Sequence, residues 1–256
     1  MSFQLEVCID SLESLQHALT GGATRIELCS SLALGGLTPS AGLMKIAAQT
    51  ATVPVYAMIR ARQGDFLYSE ADLAAMLIDI EMAAQVRLQG VVFGALTADG
   101  DIDITATRTV VNKAHELGLA VTFHRAIDLC RNIVEAVTLL SDLGCERILT
   151  SGGASSALEG ADTISAMHVA AQGKISIMAG AGVNADNIAA IHQTTGIHEF
   201  HLSGKTSRPS QMRYQANQAQ MGQSDIDDFS IPTTSSTAIE NAKSRLLKLN
   251  IEQPSQ

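Results

Sequence analysis

Four pairs of side chains carry most of the chemistry this sequence offers: His124 and His201, Arg60 and Arg62, Cys8 and Cys29, Glu6 and Glu27. Imidazole titrates nearest neutral pH and ligates metals readily, so both histidines are candidates for acid–base work. For His124, in 119-LAVTFHRAID-128, the competing reading is a hydrogen-bonded core side chain. Arg60 and Arg62, followed by Gly64-Asp65-Phe66, make a segment able to grip a carboxylate or phosphate through fork-shaped hydrogen bonds. The alternative is a pair of surface arginines on a mobile loop. Thiolates from Cys8 and Cys29 suit a soft ion such as Cu(I), with Met58 or Met178 as a supplementary thioether. Buried cysteine is also a common small apolar side chain, and there is no CxxC, His-rich tract or Met-x-Met array. Cys130 and Cys145 stand apart and are expected to be structural. Glu6 and Glu27 would orient the arginines or histidines or take part in catalysis, and Asp128 would pair with Arg125 as an anchor or as part of an anion site. Gly180 and Gly182, in 178-MAGAGVNADN-187, would expose backbone N–H groups to an anion or merely permit a tight turn. The companion 150-TSGGASS-156 has the same composition.

Such residues need a scaffold that makes them converge. Short apolar runs at 5–10, 25–30, 53–61, 90–96, 119–126, 147–153, 174–182 and 198–204 read as strands. Helical periodicity fills the gaps, as in 11–19, 71–86 and 133–144, with Ser11 and Asp186 at helix starts and Gly118, Gly144 and Gly173 at helix ends. Eight strand–helix units in one series fit a (β/α)8 TIM barrel, for which about 250 residues is typical. A doubly wound open sheet is the competitor. A single domain over 1–256 is expected, with the barrel at 4–204 and a C-terminal extension at 205–256. Its polar part, 205–236, follows the last strand and would cover the barrel mouth, move freely or contact another subunit; 237–250 reads as a closing amphipathic helix.

Strand side chains alternate faces. Leu5, Val7 and Ile9 must face the helices, which turns Glu6, Cys8 and Asp10 inward; Glu27 and Cys29 follow from the second strand. The same parity directs Met58, Arg60, Arg62, His124, Glu199, His201 and Ser203 inward. Ordinary barrel interiors are layers of branched apolar residues. Charged groups there must pair or face a wet pocket, because burying them unpaired is costly.

Composition narrows the function. A net charge of −9 disfavours nucleic acid and anionic membrane surfaces, and 4% aromatics without tryptophan disfavours base stacking. No apolar run approaches the roughly 20 residues of a membrane span. The N-terminal MSFQLEVCID has no basic region followed by an apolar one, so a cytoplasmic protein with reduced thiols is expected.

The strings LEVCIDS, GATRIELCSSLALGGLTPS, IRARQGDFLYS, VTFHRAIDLC, RILTSGG, IMAGAGV and EFHLSG, in that order, closely resemble the CutC copper homeostasis protein family from about residue 4 to about 215. The resemblance implies a cytoplasmic (β/α)8 barrel, usually a homo-oligomer (dimer or tetramer), with Cu(I) bound through cysteine. It aligns Cys8 and Cys29 with the cysteines of the first two strands, and His124, Arg125 and Asp128 with a shared HRAxD segment. Ile9 stands where some members carry a second cysteine, and the last strand reads His201-Leu202-Ser203-Gly204 where relatives can show His-Ser-Ser-Ala. Two readings stay open: copper binding through Cys8 and Cys29, or an enzyme acting on a small anionic metabolite. In the second, Arg60 and Arg62 hold the anion and His124 or His201 transfers protons.

Overall fold

Period-two alternation of apolar with polar residues marks strands such as the first, second and eighth, and in every barrel strand the outward parity is apolar. The computed structural model describes residues 3–214 and 227–252. Its strands β1 (Gln4–Ile9), β2 (Arg25–Leu28), β3 (Val55–Met58), β4 (Gly90–Phe93), β5 (Ala120–Phe123), β6 (Arg147–Thr150), β7 (Ser176–Ala179) and β8 (Glu199–Leu202) form a closed parallel barrel in sequence order. The helices α1 (Leu12–Gly21), α2 (Ala41–Thr50), α3 (Glu70–Gln85), α4 (Ile104–Glu116), α5 (Ile133–Asp142), α6 (Ala161–Ala171) and α7 (Ile188–Thr195) alternate with the strands, and α8 (Ser236–Glu252) closes the ring beside α1 and α7. This is a (β/α)8 TIM barrel. The open doubly wound sheet is excluded because β8 pairs with β1.

Burial sorts the side chains as the alternation predicts. Val7, Ile26, Ala57, Phe93, Val121, Ile148, Ile177 and Phe200 belong to one apolar cluster shared with the helices. Cys29, Tyr56, Met58 and Val92 form a separate small cluster inside the barrel. The strands are shorter than expected from sequence. Their final residues leave the ladder to form the loops at the C-terminal mouth, where a polar side chain gains a partner and the pairing ends.

Helix caps follow the chemistry of the sequence. Ser11 Oγ accepts the Ser14 N–H at 3.2 Å, and Ser69 with Asp72 completes a capping box at the start of α3. The start expected at Asp186 is displaced: α7 begins at Ile188 because the Asn184 side chain takes the Asp186 N–H into a turn. Gly21 is needed where α8 crosses α1, since a Cβ there would lie 2.6 Å from Ile239 Cβ.

The polar stretch after β8 contains structure that its composition hides. β9 (Lys205–Pro209) and β10 (Ser230–Thr234) form an antiparallel ribbon, with Lys205 opposite Thr234. Lys205 of β9 and Pro232, Thr233 and Thr234 of β10 line the cavity at the barrel mouth, so this ribbon forms part of its rim. Residues 215–226 of the same stretch lie outside the described residues.

Candidate functional site

The parallel register places complementary charges side by side. Glu6 of β1 stands opposite Arg25 on β2 and opposite His201 on β8. The Arg25 guanidinium donates to Glu6 through Nε and to Glu199 Oε2 at 2.6 Å, and Arg147 Nε donates to the same Glu199 oxygen at 2.5 Å. The Tyr56 ring lies 5.6 Å from both guanidinium carbons. Gly90 makes room for that ring, because a Cβ there would fall 2.5 Å from Tyr56 Cε2. Two carboxylates, two guanidinium groups and a tyrosine thus plug the N-terminal half of the barrel, each charge matched.

Above the plug lies a cavity of about 630 Å³ opening at the C-terminal mouth. Cys8, Glu27 and His201 form its floor, and their donor atoms all lie within 4.8 Å of one another. His201 Nδ1–H donates to Glu6 Oε1 at 2.8 Å, while Nε2 faces Glu27 Oε2 at 3.9 Å. Burial alone would raise the Glu6 pKa, but the Arg25 cation and then His201 hold it at about 2. Burial opposes a charged His201, yet the Cys8 sulfur and the Glu27 carboxylate raise its pKa well above the usual imidazole value. Glu27 is raised, by burial first, with the His201 cation pulling against it and the Glu6 charge adding to it. Its Oε1 has no hydrogen-bond partner. Glu6 therefore stays ionised and orients the imidazole. The Glu27–His201 pair faces the cavity as a proton donor–acceptor unit, or as ligands to a cation.

Two further cavity groups sit higher. Arg60 is 6% exposed and donates through Nη1 to the Leu34 and Gly36 carbonyls (3.0 and 3.2 Å) and through Nη2 to the Gly64 carbonyl at 2.8 Å. His124 Nδ1 accepts the Ala126 N–H at 3.1 Å, and burial, followed by the Arg60 charge, lowers its pKa to about 3. The imidazole is neutral, with its proton on Nε2. Phe66 packs against both, its ring 5.0 Å from the Arg60 guanidinium carbon and tilted at 54° to the His124 ring, 4.9 Å away. Gly94 is required here, since a Cβ would lie 2.5 Å from His124 Nδ1.

The mouth is braced by Asp128. Its carboxylate accepts from Thr150 Oγ1 (2.6 Å), Ser151 N (3.0 Å), Ser151 Oγ (2.9 Å), Gly153 N (3.2 Å) and Arg125 Nε (2.8 Å). This ties the loop after β5 to the loop after β6. Arg125, half exposed, also reaches Ser151 Oγ at 3.0 Å. Gly182 and Ser203 line the cavity, as do Asp10 and Lys205.

Several sequence expectations need correction. Arg62 does not point into the barrel: β3 ends at Met58, and beyond it Arg62 turns outward to pair with the exposed Asp65 at 2.8 Å and to lie over Tyr68. Arg62 and Asp65 do not line the cavity. Gly180 is a packing position, where a Cβ would meet Leu149 Cδ1 at 2.6 Å, and only Gly182 of that loop pair lines the cavity. Cys29 lies behind the floor, fully buried, its thiol 3.5 Å from Glu27 Oε2. Burial, then Glu27 and Cys8, raises its pKa well above normal. Of the two cysteines Cys8 is the one that lines the cavity, where its donor atom lies with those of Glu27 and His201. Glu6 lies beneath the cavity and reaches it only through His201. Arg25 and Arg147 were missed as interior partners, although Arg25 shares the parity of Glu27. Phe66 had no signal beyond its place after Gly64-Asp65. Neither Cys130 nor Cys145 is among the residues that line the cavity.

A family model described as the CutC family matches residues 3–206. A CutC family protein of Vibrio vulnificus (strain CMCP6) is 58% identical over 241 residues, covering 94% of this chain and 96% of its own length. The crystal structure of CutC from Streptococcus agalactiae, whose name assigns it to copper homeostasis, is 33% identical with a TM-score of 0.74, covering 78% of this chain and 97% of that one. Thiamine phosphate pyrophosphorylase from Pyrococcus furiosus, 16% identical with a TM-score of 0.55 over 96% of each chain, shares the fold alone.

Proposed function

The chain belongs to the CutC family, and from that premise we propose that it works through the cavity at the barrel mouth, as an enzyme acting on a small anionic metabolite. The observation that supports this most is the Glu6–His201–Glu27 chain under a 630 Å³ cavity. That volume lies in the range of metabolite pockets and far exceeds what a lone ion needs. Glu6 fixes the His201 tautomer, and one proton on or off the Glu27–His201 pair supplies acid–base catalysis. Arg60 supplies the cation for the anionic group. Cytoplasmic location and a homo-oligomeric state belong to the same proposal and rest on family resemblance; no helix among the described residues is long and apolar enough to cross a membrane. Incubating a panel of small carboxylates and phosphate esters in D2O, followed by NMR, tests the reaction class. Wild type should wash deuterium into or convert at least one compound, and Glu27→Gln should slow this by roughly a hundredfold or more. No compound responding to wild type would remove this reading.

Copper homeostasis is the second reading, favoured by the name of the Streptococcus agalactiae relative and by the Cys8–Glu27–His201 donor group. The residues fit a cation: the Glu27 oxygen without a partner is an available acceptor, and thiolate with imidazole suits Cu(I) as cargo. The carboxylate suits a harder ion better than Cu(I). Cys29, with its proton held against Glu27, would join as a second thiolate only after deprotonation. Anaerobic Cu(I) titration should give a stoichiometric complex that Cys8→Ser abolishes and Cys29→Ser weakens. Equal binding by wild type and Cys8→Ser would exclude copper from this floor.

A further inference from the structure

Among the arginines inside the barrel, Arg25 and the partly buried Arg147 each meet a carboxylate, whereas the buried Arg60 has none within ion-pair reach among the described residues. Three carbonyl dipoles hold its guanidinium in place and the Tyr68 hydroxyl lies beside it, but none of these brings net negative charge, and Nε meets no acceptor at full hydrogen-bond geometry. A desolvated cation left this way is expensive unless something neutralises it. Beside it, His124 Nε2, which carries the ring proton, also lacks an acceptor. Both side chains line the cavity, and the Phe66 ring packs against each of them.

The other charges around the cavity set the valence of the missing partner. Arg125 is matched by Asp128, Lys205 is exposed at the rim, and Asp10 and Glu27 bring carboxylates to the same cavity. One deep fixed cation is therefore unmatched, flanked by one neutral donor. His201, the other buried cation of the cavity, is already matched by Glu6 and Glu27, so a dianion would face Asp10 with Arg60 as the one uncommitted buried charge to balance it. We infer that Arg60 and His124 form the seat of a monoanionic carboxylate, so that the metabolite is a small carboxylic acid rather than a phosphate ester. This rests on the reading of the cavity as a metabolite site. Rotation of the Phe66 ring opens the seat, the carboxylate accepts from Arg60 Nε and His124 Nε2, and the remainder of the molecule extends towards Glu27 and His201.

The experiment uses the full-length 15N-labelled chain, following the Arg60 Nε–H and His124 Nε2–H signals by NMR during titration with lactate and, separately, with inorganic phosphate. Lactate should move both signals saturably, with phosphate binding at least roughly tenfold more weakly. Arg60→Lys should weaken lactate binding about ten- to a hundredfold. His124→Gln, which keeps the arginine, should weaken it less, and Arg62→Lys should leave it unchanged. Signals that ignore lactate, or that phosphate saturates as tightly, overturn the inference. The Tyr68 hydroxyl, a neutral group that interacts with the same guanidinium, supplies an internal control. An Arg60 Nε–H signal that shifts in Tyr68→Phe but not with lactate would show Arg60 to be satisfied from within, and would also overturn it. Lactate binding at Arg60 without turnover of any carboxylate would leave the seat standing and remove the acid–base reading. Turnover untouched by Arg60→Lys and His124→Gln would remove the seat alone.

Discussion

At His201 the Glu6 carboxylate accepts a hydrogen bond from Nδ1–H and Glu27 faces Nε2, so the imidazole is held towards its charged form. At His124 the Ala126 N–H, the Phe66 ring and the Arg60 cation stand closest, burial and then the Arg60 charge outweigh the weaker pull of Asp128, and the imidazole is held neutral with a pKa of about 3. Residue type thus says little about charge; neighbours decide it. The consequence for stability has a definite sign. A histidine with a depressed folded pKa binds fewer protons folded than unfolded, so stability falls as pH drops below about 6.5 and continues to fall towards 3. Glu6, also depressed, adds its loss only below about 4.5. Glu27 has the opposite sign, since a raised carboxyl loses stability as pH rises. His201, whose pKa is raised, acts in the same direction as Glu27, so the His124 contribution is read as a difference: between pH 7 and pH 5, urea unfolding should show wild type losing on the order of 2 kcal/mol relative to His124→Gln. Equal losses in the two proteins would assign the acid sensitivity elsewhere.

The loops do the positioning that the short strands cannot. Asp128 lies in a 3-10 turn after β5, yet four of its five hydrogen-bond donors belong to the β6 end and its following loop. It is a buried brace between two elements, and this brings the Arg125 side chain over Ser151. Asp128→Ala leaves the amides of Ser151 and Gly153 and the Thr150 hydroxyl without that acceptor. Hydrogen exchange should speed up across residues 150–154 by about tenfold or more while β1 and β2 stay protected. A uniform rise over the whole barrel would mean that the carboxylate supports global stability instead. The ribbon of β9 and β10 is a second positioning element, bringing Lys205 and Thr234 to the cavity rim from either side of the segment at 215–226.

For the whole molecule, the barrel interior divides into a matched ionic plug below and a cavity with unmatched groups above. The plug depends on closure: Glu6 meets Arg25 and His201 because β1 lies between β2 and β8. Removing one partner of such a buried network strands the others. Arg25→Met should destabilise the fold by about 3–5 kcal/mol in urea unfolding at pH 7, and Arg62→Met, at the surface pair with Asp65, should be indistinguishable from wild type. A mild effect at Arg25 would mean that water or rearrangement satisfies Glu6 and Glu199.

Much of this was legible in the sequence. Period-two alternation separated Leu5, Val7 and Ile9 from Glu6 and Cys8, and eight strand–helix repeats implied a closed barrel; both follow from local geometry that each segment carries by itself. Parity also brought Glu6, Glu27, His124 and His201 to one inner surface. It failed at Arg62, because alternation holds only while the ladder continues and β3 stops at Met58. It could not separate Glu6, locked in the plug, from Glu27, open to the cavity, or choose Cys8 over Cys29. Those distinctions depend on height along the barrel and on the register between strands far apart in sequence. Only closure of the sheet sets these, by deciding which charge finds a partner and which is left facing the cavity.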